Sequence, residues 1–283
     1  YMPLIYTLLA LSVISTYLFA RVGMNLGART SLLAAGLYAI NGLPLWFSGM
    51  GFGPHMVAFV LLPIALASLT IALNHGTSSS FLFAGLISAV LLISYFWAIS
   101  AVFLVSGTLL AFGLILFQRH RMLRIRRLLA TTIITLAAGS VGFYWLLRWA
   151  LPRLNSITGN LDASFGNAWG DLSFPPFQLA PGIQTYHMVF DRSGVMAAIP
   201  DLLWNVMNSL EQPLWMACLI SMGIALVKMK GNRLVACTLA TGFALFMFWV
   251  FKIAGYQYGH FKNLSYISFF VDTLIAAGFV TLW

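Results

Sequence analysis

Charged residues are scarce in this sequence: 7% of its 283 residues are charged, 61% are hydrophobic, and the mean hydropathy is +0.92. A soluble domain carries about 25% charged residues. This scarcity excludes a soluble enzyme and a disordered tail, and it predicts an integral membrane protein. Acidic residues are rarer than basic ones: the sequence has 6 Asp and Glu against 15 Lys and Arg, which gives a net charge of +9. Because the basic residues lie in short loops between apolar runs, we expect no nucleic-acid partner.

Cysteine and the usual motifs of soluble enzymes are also lacking. The two cysteines, Cys218 and Cys237, lie inside apolar runs and have no metal-ligand spacing, so we interpret them as small core residues. The sequence contains no glycine-rich phosphate loop, no metal-ligand cluster and no nucleophile elbow. We therefore expect neither a metal nor another cofactor.

Long apolar runs are what the sequence has in abundance. A helix crossing about 30 Å of hydrocarbon needs about 20 apolar residues. Nine runs approach that length: 2–20, 31–48, 56–73, 81–97, 98–117, 128–150, 212–228, 234–251 and 264–282. These runs predict an all-α, polytopic membrane helix bundle of about nine transmembrane helices with one long external loop. Residues 1–150 would form the first six helices, 151–211 the external loop, and 212–283 the last three helices.

The uncharged stretch 81–117 is too long for one membrane helix, and we divide it near residues 94–97. Basic loops stay on the cytoplasmic side. The loops at 21–29, 119–127 and 228–233 fall on one side only if 81–117 forms two helices. The predicted topology therefore starts outside at residue 1 and ends inside at residue 283.

The segment 151–211 differs from the rest, because it holds five of the six acidic residues and several prolines. Its length is far above that of ordinary connections, and its aromatic residues favour an ordered structure. Pro200 and Asp201 suit the start of a helix. We expect a short amphipathic helix there, lying on the outer leaflet before the span 212–228.

Candidate ligand-binding residues cluster between the last two predicted spans. Residues 252–263 contain Lys252, Tyr258, His260 and Lys262, and Arg148 lies at the same predicted membrane face. Such side chains can hold the phosphate of an anionic lipid head group. The alternative is simple anchoring at the membrane interface by snorkelling.

Several short motifs resemble the core of bacterial multi-spanning membrane glycosyltransferases of the C-type fold and their uncharacterised relatives. The motifs are Arg21, Gly27-Ala28-Arg29, Gly36-Leu37-Tyr38-Ala39, Pro44, Pro54-His55, Leu61-Leu62-Pro63-Ile64-Ala65-Leu66, Trp145-Leu146-Leu147-Arg148 with Pro152, and the segment 258–266. The resemblance spans most of the chain.

The resemblance implies an extracytoplasmic site in a bacterial inner membrane that uses a polyprenyl-phosphate sugar as donor. Under this hypothesis Lys262 is the first candidate for contact with the donor phosphate, and His260 and Arg148 are the next candidates. The family's catalytic acid would lie in a loop upstream of Tyr1, so we expect this sequence to be a fragment lacking the N-terminal part and assign no catalytic residue. The family's His-Pro pair near 94–97 is absent. A non-catalytic accessory or scaffold subunit that binds other membrane subunits, and a transporter, remain alternatives.

Asp272 is the only acidic residue within a predicted span. An unpaired carboxylate at membrane depth costs at least about 2.5 kcal/mol. We therefore expect Asp272 to face the interior of the bundle and to be protonated or matched by a cation or by hydrogen-bond donors. Arg148 is the nearest candidate partner by depth. A structural contact between helices and an ion-coupling role both remain open.

Overall fold

The computed structural model describes residues 2–42, 44–45, 53–94, 98–118, 120–145, 148, 201–248 and 257–283. For residues 53–54, 98–99, 201–208, 211–212 and 257–263 it describes the backbone alone. Regular structure in these ranges is entirely helical. The helices are α1 (Met2–Leu18), α2 (Ala28–Ala39), α3 (Gly53–His75), α4 (Ser78–Ser94), α5 (Ala98–Phe117), α6 (Arg121–Trp145), α7 (Asp201–Lys228), α8 (Arg233–Phe248) and α9 (Gln257–Leu282), and a π-helical turn (Phe19–Gly23) continues α1.

Five helical segments in the described ranges are long and apolar enough to cross a membrane. They are Met2–Gly23, His55–His75, Ser100–Phe117, Arg121–Trp145 and Leu264–Leu282. The remaining apolar helices, among them α4 and α8, are shorter. The architecture is compatible with a multi-pass membrane protein, and the count of nine spans stays a prediction.

The proposed division of the apolar stretch 81–117 is confirmed. Helix α4 ends at Ser94 and α5 begins at Ala98. The Ser100 hydroxyl donates a hydrogen bond to the Leu92 carbonyl across this junction, at 3.1 Å. The bond gives a partner to a carbonyl in the last turn of α4, where helix carbonyls lack partners within their own helix.

Helix α7 differs from the sequence expectation. A helix begins at Asp201 as expected, but it runs without a break to Lys228 and contains Pro213. The predicted interfacial helix and the predicted span 212–228 are therefore one helix, about 42 Å long at 1.5 Å per residue. A proline removes one backbone hydrogen bond, and a helix with long apolar flanks tolerates that loss. Residues 151–200 of the predicted external loop lie outside the described residues.

Helix α9 is the centre of the bundle, and every residue from Leu264 to Gly278 is buried. It packs against α2 and α7 most extensively, and also contacts α3, α5 and α8. Small residues allow the close approach to α7: a Cβ atom on Gly278 would overlap the Ser221 backbone oxygen. The Ser221 hydroxyl donates to the Ile275 carbonyl at 2.7 Å, which ties the two helices together.

The three basic loops meet at one end of the bundle, which we call the basic end. The amide of Asn232 in the third loop donates to the Met24 carbonyl in the first loop, at 2.7 Å. In the second, Arg127 donates to the Leu73 and Asn74 carbonyls at the end of α3, at 2.9 and 2.7 Å. Helix α3 is also in contact with the first loop, since Ala67 packs beside Gly23. The structure thus brings together the loops that the charge pattern assigned to one side.

Arginines at the basic end donate hydrogen bonds to the last carbonyls of other helices. Arg124 donates to the Leu114 carbonyl near the end of α5, at 3.0 Å. Arg233 donates to the Val227 carbonyl at the end of α7, at 2.8 Å. The last carbonyls of a helix have no partner within the helix and carry partial negative charge, so a guanidinium group stabilises them.

Candidate functional site

A buried polar contact joins Asn41, two residues past the end of α2, to α9 in the middle of the bundle. The Asn41 side-chain amide donates a hydrogen bond to the Asp272 carboxyl group, with 2.9 Å between Nδ2 and Oδ2. Both side chains are 2% exposed. Asp272 therefore faces the interior, as the cost of an exposed acid at membrane depth predicted.

Tyr38 extends this contact to α1. Its ring is buried, and its hydroxyl lies near the Ser12 hydroxyl on α1 and the Ser268 hydroxyl on α9. Asp272 lies near enough to interact electrostatically with the Tyr38 hydroxyl. The polar side chains of three helices thus meet in one place, which we call the Asp272 cluster: Ser12, Tyr38, Asn41, Ser268 and Asp272.

Hydroxyl groups around the cluster also bond to the backbone of their own helices. Ser12 donates to the Leu9 carbonyl at 2.7 Å, and Ser268 donates to the Ser265 carbonyl at 2.7 Å. Thr273 donates to the Phe269 carbonyl at 2.7 Å. Such bonds lower the free-energy cost of burying small polar side chains in an apolar bundle. Small side chains also let the helices pack closely.

A second feature lies at the end of the bundle opposite the basic end, where α3 and α9 begin. The rings of His55 and Tyr266 stack with their centroids 5.5 Å apart, and Phe59 packs edge-on against Tyr266 at 5.6 Å. All three side chains are buried. This aromatic group packs the third turn of α9 against the start of α3, and we call it the His55–Tyr266 stack.

The candidate phosphate-binding residues are placed unequally by the structure. Tyr258, His260 and Lys262 lie within α9, which begins at Gln257 and not near 264 as expected, so this part of the predicted loop is helical. Their side chains, and the whole of Lys252, lie outside the described residues.

Arg148 is exposed and donates a hydrogen bond to the Tyr144 hydroxyl at 2.6 Å, with its guanidinium 5.9 Å from the Tyr144 ring centroid. The expectation that Arg148 is the partner of Asp272 is wrong. Helix α6 packs mainly against α4 at the edge of the bundle, whereas Asp272 lies on the central helix.

Asn41 was not identified from the sequence as the partner of Asp272. A signal was available, because Asn41 is the only asparagine within the nine predicted spans. A polar side chain in an apolar span usually contacts another such side chain. Tyr38 and Ser12 gave no comparable signal, since tyrosine and serine are common in membrane helices.

Comparison with family models, with curated proteins and with solved structures finds no match for this chain.

Proposed function

We propose that this chain belongs to a bacterial inner-membrane protein that acts on a polyprenyl-phosphate sugar at the extracytoplasmic face, as a C-type glycosyltransferase does. The basic end would face the cytoplasm. The start of α9 would then face the outside, together with Lys252, Tyr258, His260, Lys262 and Arg148. The proposal rests on the motif resemblance and on the position of these residues.

The observation that carries the proposal is the continuity of α9. Because the helix begins at Gln257, Lys262 lies one helical turn before Tyr266, and Tyr258 lies one turn before Lys262. Tyr266 belongs to the buried His55–Tyr266 stack. Tyr258, His260 and Lys262 thus belong to a helix that is anchored in the core within one turn of Lys262. A binding residue on such an anchored element is held more precisely than one on a loop.

The chemistry assigned to these residues is to bind the donor phosphate. In an inverting transfer, the acceptor hydroxyl attacks the anomeric carbon, the bond from that carbon to the phosphate oxygen breaks, and a carboxylate takes the hydroxyl proton. Lys262 would contact the phosphate, and His260 and Arg148 would add hydrogen bonds or charge. The carboxylate base is not assigned to a residue of this sequence.

Binding of a polyprenyl phosphate to the purified full-length protein in lipid nanodiscs tests the proposal. A charge-assisted hydrogen bond contributes about 1.5–3 kcal/mol, so Lys262→Ala should weaken binding at least about ten-fold. Lys262→Arg should retain most of the affinity. Lys230→Ala is the control, because Lys230 is an exposed lysine at the basic end. Unchanged affinity in Lys262→Ala would show that the assignment is wrong.

Asp272 favours a second candidate, a transporter, since ionisable residues at membrane depth often mark ion pathways. The two candidates differ in their response to Asp272→Asn. The glycosyltransferase proposal expects this variant to keep its activity, whereas an ion-coupling acid could not be replaced by an amide. An accessory subunit is the remaining alternative, and an acidic pair in an upstream loop of the full-length sequence would favour the enzyme over it.

A further inference from the structure

A hollow of about 770 Å³ lies at the basic end, where α5 ends and α6 begins. Leu116 and Phe117 at the end of α5 line it, and residues 121–123 line it from the first turn of α6. Gln118, just after α5, and His120, just before α6, complete the lining. It lies at the opposite end of the bundle from the start of α9, so it is separate from the site proposed above.

Two basic side chains, His120 and Arg121, line the hollow. Arg121 and His120 are exposed, and neither side chain hydrogen-bonds to an acceptor within the described part of the chain. Arg124 and Arg127 behave differently, because both donate to backbone carbonyls. Arg121 and His120 are therefore available to a ligand, whereas Arg124 and Arg127 hold the helix ends.

The charge around the hollow is strongly one-sided. Ten of the 15 Lys and Arg residues lie in the three basic loops or at their edges, and the sequence places no acidic residue there. Arg124 and Arg127 are also close enough to repel each other. The backbone carbonyls that accept hydrogen bonds from these arginines are neutral, so they do not cancel the positive charge. A bound anion at the basic end would therefore lower the repulsion between the arginines.

Two of the apolar side chains that line the hollow, Phe117 and Met122, are largely exposed. Phe117 is 74% exposed and Met122 is 68% exposed. Large apolar side chains next to cations, at the end of helices long enough to cross a membrane, match a ligand with an anionic head and hydrocarbon chains. A free phosphate ion would use only the cations.

We propose that this hollow binds the head group of an anionic phospholipid of the cytoplasmic leaflet. Arg121 and His120 donate hydrogen bonds to its phosphate, and its acyl chains lie along Phe117 and Met122. The charge asymmetry alone predicts that anionic lipids are attracted to the whole basic end. The proposal instead places one lipid at a specific site, the hollow.

Native mass spectrometry of the purified full-length protein with phosphatidylglycerol and phosphatidylcholine tests this assignment. A basic residue near an anionic lipid contributes about 1 kcal/mol, so Arg121→Gln should weaken phosphatidylglycerol binding about five-fold. Arg126→Gln is the matched control, because Arg126 is exposed on the same helix and does not line the hollow. It should change the affinity by less than about two-fold, since it removes the same charge outside the site.

Phe117→Gln tests the same site without a change of charge. It should weaken phosphatidylglycerol binding and leave the binding of glycerol phosphate unchanged. Equal losses in Arg121→Gln and Arg126→Gln would overturn the proposal in favour of a diffuse electrostatic surface. Glycerol phosphate that binds as tightly as phosphatidylglycerol would overturn it in favour of a free-phosphate site.

Discussion

The hydrogen bond between Asn41 and Asp272 should be measurable as a coupling between α2 and α9. Removing either side chain leaves a buried polar partner and a small cavity. An unsatisfied buried polar group costs about 1–3 kcal/mol, so Asp272→Ala and Asn41→Ala should each lower the free energy of unfolding by about that amount. Asp272→Asn should cost less than either, because its amide oxygen can still accept the bond from Asn41.

The double variant gives the sharper test. Hydrogen bonds between membrane helices average about 0.6 kcal/mol and reach about 1.7 kcal/mol. The double variant Asn41→Ala/Asp272→Ala should therefore be less destabilised than the sum of the single variants by about 0.6–1.7 kcal/mol.

Steric trapping in bilayer discs measures the free energy of unfolding for all four proteins. Arg126→Gln combined with Asp272→Ala is the control cycle, because Arg126 is exposed at the basic end and shares no partner with Asp272. The effects of this control pair should be additive within about 0.5 kcal/mol. Additive effects for Asn41→Ala and Asp272→Ala as well would refute the contact and its role in holding α2 to α9.

Two further predictions concern helix packing and helix ends, and both use the free energy of unfolding. Gly278→Ala should destabilise the protein by about 1–3 kcal/mol, because its new methyl group meets the Ser221 backbone. Gly223→Ala should be neutral or stabilising by up to about 1 kcal/mol, since nothing lies within 4 Å of its Cβ position; equal destabilisation would contradict the packing of α7 on α9. Arg127→Gln should cost about 1.5–3 kcal/mol through its lost bonds to the end of α3. Arg126→Gln should cost less than about 0.5 kcal/mol, and a similar cost for both would show that the carbonyl contacts contribute nothing.

The sequence was informative where one physical constraint acts alone. An uncharged stretch too long for one span had to divide, and it does so between Ser94 and Ala98. The basic loops were predicted to lie on the same side of the membrane. In agreement, the loop containing Met24 is hydrogen-bonded to the loop containing Asn232. Asp272 had to face the interior, because its charge allows no other stable position in a membrane helix.

Other features depend on packing that no single segment encodes. The helix that starts at Asp201 continues past Pro213, because a proline removes one hydrogen bond and leaves the rest of a long helix intact. The choice of Asn41 over Arg148 as the partner of Asp272 depends on which helices lie beside α9. The membrane depth of a residue, inferred from its position within a predicted span, does not show which helices are neighbours.

Accessibility labelling of single cysteines tests the membrane arrangement on which both proposals rest. Cys218 and Cys237 are replaced first, and cysteine is then introduced at Met122, which is 68% exposed at the basic end, or at Gly170, which lies outside the described residues. An impermeant reagent should label position 122 only from the cytoplasmic side and position 170 only from the outside. Labelling of position 170 from the cytoplasm, or of position 122 from the outside, would contradict the arrangement and both sites assigned to its two faces.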